Sequence, residues 1–202
     1  MNVPAESNHR KTTPRSVPRE RLLATAARLF YTEGIRSVGV DRVVEEAQVT
    51  RATFYRHFPS KEDLVRAYLQ AEDQRIRGRV AEVTAEAATA ADALNLMLGG
   101  IGAEICGPGF RGCPFINAAA EYPDKQSPVH QAVLEHRSWF REAIAEILRL
   151  GDHPVPEHTA DTLVALRDGA MVGGYLGDPK KAADSFRQAA LALVADPRPA
   201  RT

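Results

Sequence analysis

The chain has 202 residues, 44% hydrophobic and 26% charged, with 26 Lys and Arg set against 26 Asp and Glu. That balance is globular and excludes a disordered chain, and two cysteines, Cys106 and Cys113, are too few for a disulfide scaffold. No run approaches the ~18 consecutive apolar residues of a membrane span, and Met1 to Pro18 is polar and proline-bearing, without the apolar core of a secretory signal; a cytoplasmic protein with no membrane partner is expected.

Residues 1–17 show no apolar periodicity and read as a flexible arm. Arg10, Lys11 and Arg15 within it suit phosphates or a minor groove, though a tail with incidental charge reads the same way. From Pro18, a residue suited to a first helical turn, Leu22, Leu23, Ala26, Leu29 and Phe30 recur at helical spacing until Gly34 stops the helix. A short helix follows over Asp41 to Ala47, then a third from an N-capping Thr50 to His57. Pro59 and Ser60 break the chain, and Ser60 with Asp63 caps a fourth helix running through Leu64, Tyr68 and Leu69 toward Ile76 and Val80. Further helices are expected over about 90–105, 113–121, 127–150, 157–175 and 179–195, separated by Gly- and Pro-bearing breaks, with residues 196–202 as a tail. No segment alternates like a strand, so the fold class is all-α. The expected division is 18–64 as a helix-turn-helix domain and 65–195 as a second helical domain.

The zero net charge hides a polarity. Residues 1–60 carry 10 basic against 6 acidic side chains, and the remainder 16 against 20. A basic head on an acidic body suits a protein that meets phosphates at one end, although four charges alone decide nothing.

Residues 41–58 carry the strongest signal: two short helices, a tight turn, and a hydroxyl cap on the second, the layout of a helix-turn-helix. Small Ala47 lets the helices cross closely, and Val49, Phe54 and Phe58 can pack inward against Leu22, Leu29 and Phe30. Arg51, Ala52, Thr53, Tyr55, Arg56 and His57 are left to face outward. Thr50, Tyr55 and His57 suit phosphates, Arg51 a guanine edge, and Ala52 or Thr53 a thymine methyl. Arg42 and Lys61 are further phosphate candidates. As a bare pattern, a structural helical hairpin with a polar face stands beside this reading.

The run from Arg19 to Leu69 resembles the DNA-binding domain of the tetracycline-repressor (TetR/AcrR) family. Val49-Thr50-Arg51-Ala52-Thr53-Phe54-Tyr55-Arg56-His57-Phe58-Pro59-Ser60-Lys61-Glu62-Asp63-Leu64 carries the likeness, with Ala27 to Phe30 and Glu33-Gly34 upstream. Two positions depart from the family pattern. Gln48 stands where glycine is usual, at a cost of roughly 1 kcal/mol if the turn is left-handed. The usual hydroxyl near the start of the second helix is replaced around Gly39-Val40, so one phosphate contact is either absent or supplied by Ser37.

The resemblance implies a regulator that binds double-stranded operator DNA, most simply a repressor released by a small-molecule effector, with activation as the alternative outcome on the same fold. One helix-turn-helix reads few base pairs, so a homodimer is expected. The resemblance places its interface on the last two long helices, where Leu163, Leu166, Gly169, Gly173, Gly174, Phe186, Ala190, Leu191 and Val194 offer small and apolar contacts; packing inside the monomer is the alternative. Gly109 to Glu121 resembles a block of one subgroup. Met97, Phe110, Cys113, Phe115, Asn117, His136, Trp139, Phe140 and Tyr175 form a pool from which an effector pocket can be drawn, with plain core packing the commoner role for any one of them.

Cys113, with Arg111 two residues away, and Cys106 raise thiol oxidation as a rival trigger. His130 and His136 do not share a helical face, so no metal or other cofactor is expected. No phosphate loop or nucleophile elbow is present, and Glu121, Asp161 and Asp168 lack a recognisable partner, so no catalytic residues and no enzyme are expected.

Overall fold

The structure, a computed structural model, describes residues 16–195. Among them lie nine helices and no strand: α1 Val17–Glu33, α2 Val40–Glu46, α3 Arg51–His57, α4 Lys61–Glu86, α5 Ala90–Ile105, α6 Pro114–Glu121, α7 Pro128–Leu150, α8 Pro156–Leu176 and α9 Pro179–Ala195. Proline opens α6, α7, α8 and α9, where its missing N–H costs nothing. Hydroxyls cap α3, α4, α5 and α7, the side chains of Thr50, Ser60, Thr89 and Ser127 each accepting a backbone N–H. Val17 already belongs to α1, one residue inside the expected arm; Arg10, Lys11, Arg15 and the tail over 196–202 lie outside the described residues.

The head packs α1, α2 and α3 around Leu22, Ala26, Leu29, Phe30, Val43, Ala47, Phe54 and Phe58, all buried. The α2–α3 turn passes through Gln48 at φ 51°, the left-handed conformation that usually calls for glycine. Arg21 on α1 offsets part of that cost by donating to the Gln48 carbonyl at 3.1 Å.

Helix α4 does not stop at the head. Leu64, Val65, Tyr68 and Leu69 close the head core, with Tyr68 edge-on to Phe30 at 6.0 Å. The same helix then runs unbroken past the expected boundary after residue 64 to Glu86, because Ile76, Val80 and Val83 keep the apolar spacing going against the body. In the body, α4 packs against α7 and α5, α8 and α9 pack on each other and against α5, α8 also meets α7, and short α6 lies against α7 and α4.

Gly174 is needed inside the chain rather than between copies. A methyl group added to it would stand 2.5 Å from the Ile105 Cγ2 and 3.4 Å from the Phe110 ring. Helix α8 therefore reaches the end of α5 only because residue 174 has no side chain.

Candidate nucleic-acid interface and body cavity

Helix α3 buries Phe54 and leaves Arg51, Ala52, Tyr55 and Arg56 exposed, with Thr53 and His57 half-buried. The Thr50 hydroxyl accepts the Thr53 N–H at 3.1 Å and exchanges a second hydrogen bond with the Thr53 hydroxyl at 2.9 Å, which fixes the first turn. Tyr55 is held by its edge-on contact with Phe54 at 5.1 Å. The Arg51 guanidinium lies 6.0 Å from the Tyr55 ring and pairs with Asp41 on α2 at 2.8 Å. Tyr55 and Asp41 raise its already high pKa, so it is a permanent cation at any working pH. Ion pairs this exposed exchange readily with solvent and with stronger partners, so Arg51 is orientated without being locked. Arg56 has no partner among the described residues.

The remaining candidates are arranged differently. Arg42 binds Glu46 and reaches Glu33 at 3.3 Å, and Arg28 also binds Glu46. This cluster ties α1 to α2, so Arg42 is already engaged by two carboxylates. His57 Nε2 lies 3.3 Å from the Ser16 hydroxyl at the start of α1. Lys61 opens α4, half-buried beside Glu121; burial lowers its pKa and Glu121 opposes that shift. Ser37 is exposed, and Gly39 caps α2 without a side-chain hydrogen bond.

Between α4, α5, α7 and α8 the body holds a largely apolar cavity of about 270 Å³, open to solvent on the side of Glu82, Glu86 and Leu96. Met97, His136 and Phe140 from the sequence pool line it, together with Ile76, Val80, Val83, Ile101, Met171 and Arg167, which sequence reasoning passed over. A second cavity of about 210 Å³ lies between α6, α7 and α8; Cys113 and Phe115 line it, and His136, Phe140 and Arg167 wall both. The rest of the pool falls outside. Phe110, Asn117 and Tyr175 border clefts beside the head, Tyr175 being exposed with its hydroxyl 3.3 Å from Arg111. Trp139 lines neither cavity, its ring covered by the Arg77 guanidinium at 4.1 Å.

The cavity wall is ordered by polar contacts. His136 stacks on Phe115 with ring centres 3.6 Å apart, and its Nδ1 lies 2.8 Å from Asp73, which also accepts from Arg77 at 2.6 Å. Burial pushes the His136 pKa below 6.5, with Asp73 resisting. Arg167 is 8% exposed and donates from Nη1 to the Cys113 sulfur at 3.3 Å and to Asp168 at 3.1 Å. Its neighbour is thus Cys113, whereas Arg111 reaches away to the Thr32 carbonyl. Cys106 is exposed and Cys113 buried.

The three carboxylates expected to lack partners all have them. Asp161 accepts from Arg141 at 2.7 Å, and Asp168 is shared by Arg137 and Arg167. Glu121, at the end of α6, accepts the Ile35 N–H at 2.9 Å and the Arg36 N–H at 2.6 Å. It thereby fastens the body to the α1–α2 loop of the head. Tyr31 adds a second fastening, donating to the Gly112 carbonyl at 3.0 Å and accepting the Arg111 N–H at 2.8 Å; Ser127 to Glu62 at 2.7 Å is a third.

On the outer face of α8, Gly169, Val172, Gly173 and Leu176 are exposed in one helical stripe, and Leu191 is exposed on α9. Leu163, Phe186 and Ala190 are buried within the chain itself, against neighbouring helices, and have no surface to offer a second copy. Leu166 and Val194 are half-buried.

Comparison with known proteins agrees with this architecture. The family described as bacterial regulatory proteins, tetR family, matches residues 22–68, and the tetracyclin repressor-like C-terminal domain matches residues 107–190. The crystal structure of SCO4454, a TetR-family transcriptional regulator from Streptomyces coelicolor, is 46% identical, with a TM-score of 0.87 over 90% of this chain and 96% of that one. The HTH-type transcriptional regulator LmrA of Bacillus subtilis is 27% identical over 159 residues, 77% of this chain and 82% of LmrA. The reduced form of E. coli NemR shares the fold at 22% identity, with a TM-score of 0.82 over 92% of this chain and all of that one. The chain therefore belongs to the TetR family, whose members are DNA-binding transcriptional regulators and not enzymes.

Proposed function

We propose that this protein works in the cytoplasm as a homodimeric repressor that occupies an operator and leaves it when a small molecule fills the body cavity. The observation that carries the proposal is the path of α4. It begins at the Ser60 cap beside the reading helix, closes the head core with Leu64 and Tyr68, and lines the 270 Å³ cavity with Ile76, Val80 and Val83. Ligand sites are concave and mostly apolar with a few polar groups, so an apolar cleft of this size on the helix that carries the head supports a ligand site. A molecule that fits one placement of α4 better than another would shift the head's ability to dock on DNA by the difference in its affinity for the two.

Arg51, Ala52, Thr53, Tyr55 and Arg56 are the proposed base- and phosphate-facing residues, with Thr50, His57 and Lys61 toward the backbone. Arg42, held by Glu33 and Glu46, supports α2 first and reaches phosphate only by leaving those partners. For dimerisation, the stripe of Gly169, Val172, Gly173 and Leu176 with Leu191 supports a helix-on-helix contact, and Gly169 has open space where a side chain would be.

Fluorescence anisotropy with DNA from upstream of the protein's own gene, a scrambled duplex beside it and two salt concentrations for each, tests the reading. Tight binding to the upstream duplex alone is expected, weakened in Arg51→Ala by about 1–3 kcal/mol of base discrimination. Absence of binding to either duplex at low salt overturns the reading. Sedimentation of the unmodified protein tests the dimer, and a chromosomal deletion tests the sign: transcription of the controlled gene rises if the protein represses.

A thiol trigger is the second reading, favoured by the Arg167 guanidinium 3.3 Å from the Cys113 sulfur. At 2% exposure that sulfur is poorly placed for direct attack by an oxidant. Operator release by peroxide that disappears in Cys113→Ser would favour it.

A further inference from the structure

We infer that the effector is an organic monocarboxylate with an apolar body, and that Arg167 is the residue that holds its anionic group. The inference rests on reading the body cavity as the effector site and adds the chemistry of what fills it.

Buried arginine is costly unless its charge and its N–H groups are matched. A guanidinium has five N–H donors, and Arg167 uses Nη1 for both its hydrogen bonds, to Cys113 and Asp168, while its guanidinium carbon lies 5.4 Å from the Phe140 ring. Its Nε–H is buried with no hydrogen-bond partner. Burial works against the cation, yet Cys113 and Asp168 keep its pKa above the ordinary arginine value, so the side chain stays charged.

The local charge does not close either. Asp168 is shared between two arginines, the buried Arg167 through one oxygen and the half-exposed Arg137 through the other, so it answers the buried cation only in part. The other carboxylate of this region, Asp73, is taken by Arg77 and His136. At the cavity rim Glu104 is matched by Arg79 at 3.0 Å, while Glu82 and Glu86 stand exposed on α4. Exposed carboxylates are screened by salt within about 10 Å, whereas a buried cation is not. The cavity thus has an inner cationic wall, apolar sides and a solvated acidic rim.

Each property selects the ligand. A single buried guanidinium on the wall matches a monoanion; a phosphate dianion would bring an unmatched negative charge into an apolar space. Nε and the adjoining terminal nitrogen of a guanidinium form an edge of two parallel donors whose spacing fits the two oxygens of a carboxylate; the Arg167 Nε–H is covered here, so a carboxylate engages both donors after a small shift of the side chain. The sides, Ile76, Val80, Val83, Met97, Ile101 and Met171, require an aliphatic or aromatic body. A space of about 270 Å³ lies at the small end of ligand pockets and sets a compact molecule.

The test uses the full chain without DNA. Octanoate and 4-phenylbutyrate are titrated by calorimetry and by the fluorescence of Trp139, the one tryptophan, each beside its own primary amide. The acids should bind at least about tenfold more tightly than the amides, as a charge-assisted pair at a buried cation predicts. Arg167→Gln should abolish that preference while leaving amide binding in place. Arg167→Met is the companion variant, since replacing a buried ion by an apolar side chain of similar volume is often tolerated; it should behave alike. Equal binding of acids and amides overturns the carboxylate assignment and leaves the cavity as a ligand site. Preference that survives in Arg167→Met overturns the role of Arg167. Absence of binding by every acid and amide at millimolar concentration overturns the assignment and the effector reading together, and leaves DNA binding untouched.

Discussion

The head and the body bury the same kinds of apolar side chain, yet treat their polar groups in opposite ways. Every buried polar or charged residue among those described, His136, Thr159 and Arg167, belongs to the body, and none to the head. The head sets its chemistry on the outer face of α3, where Arg51 and Arg56 stand in solvent, and its ion pairs are exposed and weak. The body encloses its chemistry, where an unmatched donor carries a full desolvation cost. A surface that must meet a long anionic polymer can leave its charges waiting in water. A pocket that must distinguish small molecules has to hold its charge dry.

Substitutions can break this contrast, beginning with the largest effect. Phe54→Ala removes a fully buried ring from the smaller core and should cost about 3–5 kcal/mol. Thermal unfolding should then show the head melting before the body, and DNA binding should be lost while the cavity still takes ligand. A single, undivided transition would mean that α4 couples the two regions into one folding unit.

Gly174→Ala acts on the body alone. The new methyl group would overlap Ile105 and should cost about 1–3 kcal/mol, read as a lower melting temperature. Gln48→Gly works in the head and in the opposite direction: relieving the positive φ should raise stability by up to about 1 kcal/mol, less what is lost with the 3.4 Å hydrogen bond from Arg21 to the Gln48 Oε1, the bond to the carbonyl being kept.

The smallest effect is one of slope. Because burial lowers the His136 pKa, the unfolded chain takes up its proton first as the pH falls below about 6.5. Stability from this residue is therefore fully present above that pH and declines on acidification until the folded histidine titrates as well. His136→Asn keeps a donor toward Asp73 and removes the titration, so its melting temperature should fall less between about pH 7 and pH 5. An unchanged slope would mean that His136 is not desolvated as its stacking on Phe115 implies.

Much of the fold was legible in the residues because its signals are local. Thr50 and Ser60 announce helices three residues before their capping bonds close, and the prolines at 114, 128, 156 and 179 mark first turns. The face of α3 was legible for the same reason: Phe54 and Phe58 are four apart, so the residues between them must turn outward. The cavity was not legible. Its wall joins Val80, Met97, His136 and Arg167, separated along the chain by tens of residues, and nothing adjacent to Arg167 sets it apart from an ordinary surface arginine. Three of the expected dimer residues, Leu163, Phe186 and Ala190, lie buried in their own chain for a related reason. Helical periodicity groups apolar positions on a face, but Leu163 and Phe186 face their own chain, and only packing tells that side from the side bearing Leu176. Glu121 looked unpartnered because its partners are main-chain N–H groups, which no side-chain pattern reveals.

That last contact bears on how such proteins diversify. Glu121 grips the head through the amides of Ile35 and Arg36, groups that any residue except proline supplies. Tyr31 likewise meets the body through a carbonyl and an amide. A joint written largely in backbone places few demands on side-chain identity across it. On the proposed function, the head could change the operator it reads, and the body the compound it senses, without the two having to co-vary residue by residue. A chimaera joined within α4 should therefore inherit a working coupling wherever the incoming head preserves the path of the loop around Gly34 and keeps Tyr31 in place.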